Sequence, residues 1–324
     1  MDFMVNLETK KPSRQINYRD KILLTGSCFT EHIGDSLEGL KFSVLQNPNG
    51  ILFDPDSVCR SLDSYIANKK YSETDFSQIN DVWHSWEHHS RFSNVDVKEA
   101  VRIVNVSQQK AHGFLKEAKW LIISLGSSFS YRLTETAQPV ANCHRAPAQW
   151  FNKHLIGIDE IISVFENCLQ KLFAFNPGLN IIFTVSPVRH IRDGVVDNNR
   201  SKARLIEAVH HLTGKYDKTH YFPAYELVID VLRDYRFYDA DLVHPNYMAT
   251  EFVLEKFEDS FIDDESKQII KEITPIVIAR KHKAFQPKTK GHQQFLQAHF
   301  EKAKSVQKKY PFLDLEEEIN YFNL

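Results

Sequence analysis

The hydrophobic pattern of this chain alternates between short, continuously apolar runs and longer stretches with helical spacing. Continuous apolar runs are typical of strands buried on both faces of a parallel sheet. They occur at residues 21–24, 41–45, 120–125 and 180–185, with a further extended segment at 219–222. Helical spacing covers residues 28–40, 56–67, 97–118, 156–173 and 201–213. This alternation predicts an α/β fold, a three-layer, doubly wound (flavodoxin-like) domain with a mostly parallel sheet.

Two segments interrupt this alternation and are predicted to be insertions at the rim of the sheet. One covers about residues 71–95 and is rich in aromatic and histidine residues, and the other covers about residues 127–148. From residue 263 the sequence becomes charged and helical, which predicts an α/β domain over 1–262 and a helical C-terminal extension over 263–324. The basic stretch at 280–291 is interpreted as a solvated linker, with an anion site as the alternative.

Composition narrows the classes of function. The 324 residues are 42% hydrophobic, which is enough for a buried core. A net charge of −2 gives no broad attraction to nucleic acids or acidic membranes, so neither is expected as a partner. No apolar window approaches the roughly 18 residues of a bilayer crossing, and residues 1–8 lack the features of a signal peptide. We therefore expect a cytoplasmic protein whose cysteines are free thiols: Cys28, Cys59, Cys143 and Cys168.

Two polar groups stand where strands of the predicted sheet end. Ser27 follows the first strand at a strand-to-helix turn, and Asp241 lies three positions before His244. Serine needs a base within hydrogen-bond reach to act as a nucleophile, and a carboxylate can orient that base. The residues therefore predict a relay of Ser27, His244 and Asp241. The alternatives are that Ser27 only caps the following helix, or that Cys28 is the nucleophile.

Several motifs together resemble one protein family. The run Gly26-Ser27-Cys28-Phe29-Thr30 is similar to the first block of the GSCFA family, a branch of the SGNH (GDSL-like) hydrolase superfamily. The resemblance extends through residues 142–144, 186–190 and 221–226 to Asp241 and His244, and it spans roughly residues 20–260. It selects Ser27 over Cys28 as the nucleophile and implies acyl transfer through an acyl-serine.

The resemblance also implies an oxyanion hole, a set of donors for the charge that develops on the acyl oxygen. Backbone N–H groups of Ser27 and Gly50 are predicted to fill two positions. Where an SGNH enzyme has Gly-x-Asn-Asp, this chain reads Gly126-Ser127-Ser128-Phe129. Asn142 is the predicted third donor, with the Ser128 hydroxyl as an alternative.

Further residues are predicted to bind substrate. Arg189 and His190 follow the fourth strand, where Arg189 is suited to hold an anionic group and His190 to orient substrate; an ordinary loop pair bonded to Asp193 is the alternative. The first insertion is interpreted either as an aromatic wall over the site or as plain packing. Spacing of His84 and His88 also suits zinc on a helix, but the flanks are not helical and no metal or cofactor is expected. The remaining predicted binding residues are Gly126, Ser128, His144, Trp83, His84 and Trp86.

These observations predict a serine hydrolase that acts on ester-linked acyl groups, with a carbohydrate O-acetyl group as one candidate substrate. Two alternatives keep the same scaffold: an acyltransferase, and a non-catalytic ligand-binding module, which the absent asparagine favours. A third is an interaction protein assembled through its C-terminal helices. The predicted partner is a small-molecule or carbohydrate ester, and the oligomeric state is left open.

Overall fold

A computed structural model describes residues 4–323. Residues 1–3 and 324, which begin the N-terminal segment and end the predicted extension, lie outside the described residues. The described chain forms the strands β1 (Lys21–Gly26), β2 (Ser43–Gln46), β3 (Ser77–Ile79), β4 (Val82–His84), β5 (Trp120–Leu125), β6 (Phe129–Leu133), β7 (Pro139–Val140), β8 (Phe151–Leu155), β9 (Asn180–Val185) and β10 (Thr219–Phe222).

The helices lie mostly between these strands. They are α1 (Phe29–Gly39), α2 (Pro55–Ala67), α3 (Val97–Glu117), α4 (Ile158–Phe175), α5 (Val195–Lys215), α6 (Ala224–Glu226), α7 (Tyr247–Phe261), α8 (Asp264–Lys281), α9 (Lys290–Lys309) and α10 (Glu316–Phe322). The short α6 continues directly into a π-helical turn at Leu227–Val231.

Five strands form the central sheet in the order β10-β9-β5-β1-β2, and every neighbouring pair is parallel. From β1 the chain moves outward to β2 and then returns to the other side of β1 for β5. The carboxyl ends of β1 and β5 therefore flank the point where strand order reverses, which is where doubly wound sheets bind ligands. The predicted three-layer α/β class with a mostly parallel, flavodoxin-like sheet is confirmed.

Alternate residues of the strands build two cores, because successive strand side chains point to opposite faces. On one face Ile22, Leu24 and Ile122 join the core with α1, α7 and α8. On the other face Leu23 and Leu121 join the core with α2, α4 and α5. The sheet is thus covered by helices on both sides, which explains why its strands are continuously apolar in sequence.

The two insertions form small antiparallel sheets beside the main one. The first contains the β3-β4 hairpin, and the second contains a sheet of order β7-β6-β8. The backbone N–H of Ala141 donates to the carbonyl of Trp86 at 2.8 Å, so the two insertions contact each other. The second insertion continues to Leu155, beyond its predicted end near residue 148. Strand β8 has no continuous apolar run because its middle residues, 152–154, are exposed.

The C-terminal helices belong to the core on the α1 face of the sheet. Ile273, Ile276, Ala303 and Leu315 are buried in the same cluster as Phe29. Lys283 and Lys288, between α8 and α9, and Lys290, the first residue of α9, are exposed. Within residues 4–323, no helix is long and apolar enough to cross a membrane.

Candidate active site

Ser27 stands at the end of β1, directly after a glycine that the turn requires. Gly26 has a φ of +133°, and a Cβ on it would lie 2.0 Å from the carbonyl oxygen of Ser124. Only glycine tolerates this conformation and this approach. The turn leaves Ser27 fully buried, at 0% exposure.

The backbone N–H and the hydroxyl of Ser27 both bond to Ser124 on the neighbouring strand β5. The Ser27 N–H donates to the Ser124 carbonyl at 2.9 Å, and the two hydroxyl oxygens are 2.9 Å apart. The Ser27 hydroxyl is thus directed at the sheet rather than at an N–H group of α1. The helix-cap alternative therefore has no hydrogen bond to support it within the described residues.

Asp241 and His244 form a hydrogen-bonded pair on an exposed turn. Oδ2 of Asp241 accepts from Nδ1 of His244 at 2.6 Å. Oδ1 accepts from the backbone N–H groups of Val243 at 2.9 Å and of His244 at 3.0 Å. The side-chain bond from His244 is the largest cause that lowers the pKa of Asp241 to about 2. Asp241 therefore stays ionised and holds the imidazole in one tautomer.

The structure does not join Ser27 to this pair by a hydrogen bond. Ser27 is fully buried, whereas the His244 side chain is 46% exposed, and no bond between them occurs within residues 4–323. Catalytic hydrogen bonds are often long or poorly aligned without substrate, so a gap of this kind is compatible with catalysis. The Asp-His half of the predicted relay is assembled, and its contact with the serine is not.

His190 lies beside Ser27 across Gly126. A Cβ placed on Gly126 would be 3.2 Å from Cβ of Ser27, 3.3 Å from Nε2 of His190 and 2.9 Å from the ring of Phe53. The Phe53 and His190 rings meet edge to face with centroids 5.2 Å apart. Nε2 of His190 is buried and has no hydrogen-bond partner in the part of the chain that is described.

The protonation state of His190 follows from its surroundings. Burial is the main cause that lowers the pKa of His190 to about 4, and the charge of Lys202 adds to the shift. Asp193 does not hydrogen-bond to this ring; it forms an ion pair with Lys153. His190 is therefore a neutral imidazole near pH 7.

Arg189 links the segment after β9 to the turn that carries His244. Its backbone N–H donates to the Val243 carbonyl at 3.2 Å, and its guanidinium lies 4.3 Å from the ring centroid of Tyr238 and 5.4 Å from that of Tyr235. Its Nη1 also donates to the Leu242 carbonyl at 3.5 Å, so the side chain too is bonded to this turn. Its predicted role as an anion clamp stays a prediction.

The groups predicted for the oxyanion hole already make other hydrogen bonds. The Ser27 N–H is bonded to Ser124, and the Gly50 N–H donates to the Asn47 carbonyl at 2.7 Å. Oδ1 of Asn142 accepts from the His144 N–H at 2.9 Å. The Ser128 hydroxyl lies 3.1 Å from Oγ of Ser201 on α5. The Ser27 and Gly50 N–H groups and the Ser128 hydroxyl would have to exchange these partners to bind an oxyanion. The bond at Asn142 occupies its oxygen and not its Nδ2 donor.

Residues of the two insertions cluster around His144. The His84 ring lies 4.4 Å and the Trp86 ring 5.7 Å from the His144 ring, centroid to centroid. Nε2 of His144 lies 2.8 Å from the Ser85 carbonyl, and burial lowers the pKa of His144 to about 4. Trp86 is itself buried, at 6% exposure, which favours packing over an exposed aromatic wall. Trp83 pairs with Asn94 through its backbone.

The zinc alternative for His84 and His88 required a helix through both residues. His84 instead ends strand β4, and its Nδ1 lies 2.7 Å from the Ser93 hydroxyl. Nδ1 of His88 lies 2.8 Å from the Ser85 hydroxyl. Among the described residues, no group of three or more candidate ligands could hold a metal ion.

Lys202 is a buried residue of this region that the sequence pattern did not indicate. Lys202 on α5 is 1% exposed, and its Nζ donates to the carbonyls of Gly126 and Ser186 at 2.6 Å each. It thereby ties together the chain segments that leave β5 and β9. Burial lowers the pKa of Lys202 to about 7. A lysine in an amphipathic helix reads as a surface residue, so nothing in the sequence pattern marks this position.

The fold and these groups define a three-layer α/β protein with a serine after its first strand and an Asp-His pair beside the segment that follows β9. The chain belongs to the GSCFA family, which it matches over residues 21–257. Residues 273–324 match the C-terminal domain of GSCFA domain proteins.

Three solved structures are similar in outline. A carbohydrate esterase family 3 protein from Talaromyces cellulolyticus is 12% identical, with 78% of this chain and 99% of that chain covered and a TM-score of 0.36. An acetyl esterase with a serine-to-alanine substitution and an acetate ion is 13% identical, with coverages of 78% and 99% and a TM-score of 0.36.

The third is an acetyl xylan esterase from the rumen bacterium Butyrivibrio proteoclasticus, 10% identical, with coverages of 75% and 65% and a TM-score of 0.35. No match was found among curated proteins. Structural similarity at this level does not by itself identify an activity.

Proposed function

We propose that this protein is a serine hydrolase of the SGNH type that acts on ester-linked acyl groups. The observation that carries the proposal is the 2.6 Å bond between Asp241 and His244, made on a turn that Arg189 ties to the segment after β9. Ser27 stands at the end of β1, where strand order reverses. These are the parts of a nucleophile, a base and an orienting carboxylate.

In the proposed reaction, Nε2 of His244 removes the hydroxyl proton of Ser27 while Asp241 stabilises the imidazolium. The Ser27 oxygen attacks the acyl carbon, and the carbonyl electron pair moves to its oxygen. His244 then returns the proton to the departing alcohol, which leaves an acyl-serine. Water, activated by the same histidine, releases the acid; an acyltransferase would use another alcohol at this step.

We propose a short acyl group, such as acetyl on a carbohydrate. Ser27 is fully buried, and Phe53 and His190 both lie against the adjoining Gly126. A nucleophile enclosed in this way leaves little room for a long acyl chain. In this proposal Phe53 and His190 limit the size of the acyl group, and residues farther out along the rim select the alcohol.

A non-catalytic ligand-binding module is the second candidate. The observation that favours it is that the Ser27 hydroxyl bonds to Ser124 and makes no bond to His244 in residues 4–323. A binding module would bind esters and release no acid from them. Turnover separates the two candidates.

The test is hydrolysis of 4-nitrophenyl acetate and of acetylated xylo-oligosaccharides by the native chain and by Asp241→Asn. We expect the substitution to lower kcat at least about 100-fold, because the imidazole loses its orienting carboxylate. Asp239→Asn, a neighbouring exposed carboxylate, is the matched control and should retain native turnover. Equal rates for the two variants, or no turnover by the native chain, would refute the proposal.

A further inference from the structure

An oxyanion formed at Ser27 needs hydrogen-bond donors, and three of the predicted donors, on Ser27, Gly50 and Ser128, are engaged elsewhere. The N–H groups of Ser27 and Gly50 bond to carbonyls. Oδ1 of Asn142 accepts from the His144 backbone N–H within its own insertion, and no hydrogen bond among residues 4–323 joins its Nδ2 to Ser27. Ser128, at the place of the expected asparagine, is turned toward Ser201 on α5. The site as built lacks an evident donor at that third position.

His190 has an unpartnered ring nitrogen close to Ser27. A Cβ placed on Gly126 would lie 3.3 Å from Nε2 of His190 and 3.2 Å from Cβ of Ser27, so the two residues face the same side of this glycine. The nitrogen is buried and has no partner among residues 4–323. Buried polar groups nearly always find a partner, so an unpartnered one beside a nucleophile points to a partner that arrives with the substrate.

The chemistry of this histidine suits a donor better than a base. No carboxylate bonds to its ring in the described chain, whereas His244 has Asp241. The buried ammonium of Lys202, held by the carbonyls of Gly126 and Ser186, opposes a second positive charge nearby. A neutral imidazole keeps one N–H, and such a group can polarise a carbonyl without giving up its proton.

Neighbouring contacts hold His190 in position. Its backbone N–H donates to Oδ1 of Asn198 at 2.8 Å, and Phe53 packs against the ring edge to face. A donor fixed in advance stabilises developing charge more than a mobile one, because it needs no reorganisation during the reaction.

We propose that His190 is an oxyanion donor: its Nε2–H hydrogen-bonds to the acyl oxygen as Ser27 attacks, in the position that an asparagine side chain would otherwise fill. The inference rests on the proposed function. In this step the bond from Ser27 Oγ to the acyl carbon forms, the serine proton passes to His244, and the carbonyl electron pair moves to oxygen. The proton on His190 stays on Nε2 throughout.

The test compares three substitutions in hydrolysis of 4-nitrophenyl acetate. The amide nitrogen of glutamine reaches close to the place of histidine Nε2, that of asparagine reaches only the place of Nδ1, and leucine has no donor. We expect His190→Leu and His190→Asn to lower kcat roughly 100- to 1,000-fold with little change in KM. The kcat of His190→Gln should be at least about tenfold higher than that of His190→Leu and His190→Asn.

A purely structural role would not give rescue by glutamine and failure by asparagine. Native rates in all three variants, or equal losses in all three, would overturn the inference. If the native chain turns over and Asp241→Asn does not, the proposed function survives that result. If the native chain itself is inert, the proposed function fails as well, and the two failures are thereby distinguished.

A second measurement on the native chain covers the case in which the variants do not fold. With histidine rings labelled with ¹⁵N, the His190 Nε2–H resonance, assigned through ring-to-backbone correlations, should move downfield when Ser27 is phosphonylated by a fluorophosphonate. An unchanged resonance on a fully phosphonylated protein would overturn the inference.

Discussion

At the scale of single residues, Gly126 determines how closely Ser27 and His190 approach. Any side chain there would lie within 3.3 Å of both residues and 2.9 Å from Phe53. Nζ of Lys202 donates to the carbonyl of Gly126 and to the carbonyl of Ser186. A buried lysine of this kind stabilises the loops around the nucleophile, because it satisfies two acceptors that water does not reach.

The Lys202 contact leads to a stability prediction. Lys202→Met removes both hydrogen bonds and leaves two buried carbonyl groups without this donor, so the free energy of unfolding should fall by about 2–4 kcal/mol. Lys215→Met, an exposed lysine on the same helix paired with Glu166, is the control and should change it by less than about 1 kcal/mol. Urea denaturation at pH 8 measures both. Equal stability of the two variants would contradict the structural role of Lys202.

At the scale of elements, α7 carries a carboxyl group in an unfavourable environment. Glu258 lines a cavity of about 570 Å³ between α1, α7 and α8. Burial is the largest cause that raises the pKa of Glu258 to about 7, and the nearby carboxylates of Asp259, Glu251 and Glu255 add to the shift. This cavity lies among helices on one face of the sheet and does not include Ser27 or His244.

The raised pKa of Glu258 predicts how stability depends on pH. Between about pH 4.5 and about pH 7 the folded chain holds a proton that the unfolded chain has lost. The contribution of Glu258 to stability is therefore full below about pH 4.5 and is lost as the pH rises through about 7.

Glu258→Gln should flatten the fall in the free energy of unfolding between pH 5 and pH 8, and should be more stable than the native chain at pH 8. Glu265→Gln, an exposed glutamate on α8, should leave the native slope unchanged. Urea midpoints at the two pH values test this. A Glu258→Gln slope that matches the native slope would contradict the assigned pKa.

The helices and strands show which element bounds could be predicted from the sequence. Strand β9 falls on the predicted residues, since a continuous apolar run reports burial on both faces. Helix α5 begins at Val195, six residues before the predicted start at Ser201. The prediction missed these residues because Val195 and Val196 are apolar but exposed, which breaks the helical pattern. Strand β8 was missed because its exposed residues give no apolar signal.

The candidate site was predictable to a smaller extent. Asp241 and His244 interact locally, so their spacing alone predicted the bond between them. The contacts of Ser27 with Ser124, of Gly126 with His190 and of Lys202 with two carbonyls join residues far apart in the chain. No periodic pattern encodes such contacts. They arise from the packing of five parallel strands and the segments that leave them.

At the scale of the whole molecule, the C-terminal helices complete the core on the α1 face of the sheet. Glu318 on α10 is 1% exposed and lies 2.8 Å from Nζ of Lys41, as an ion pair rather than an aligned hydrogen bond. Arg280 on α8 donates to the other oxygen of Glu318 at 3.1 Å. The extension is thus joined to the segment between α1 and β2, on the face opposite α2, α4 and α5.

The central claim is that Ser27 is an activated nucleophile. The most direct measurement is labelling of the full chain by a fluorophosphonate, read by intact mass with peptide mapping. The account predicts a single adduct at Ser27 in the native chain and in Cys28→Ala, none in Ser27→Ala, and a rate of labelling at least about 100-fold lower in His244→Ala. An unlabelled native chain, or an adduct that survives Ser27→Ala, would contradict it.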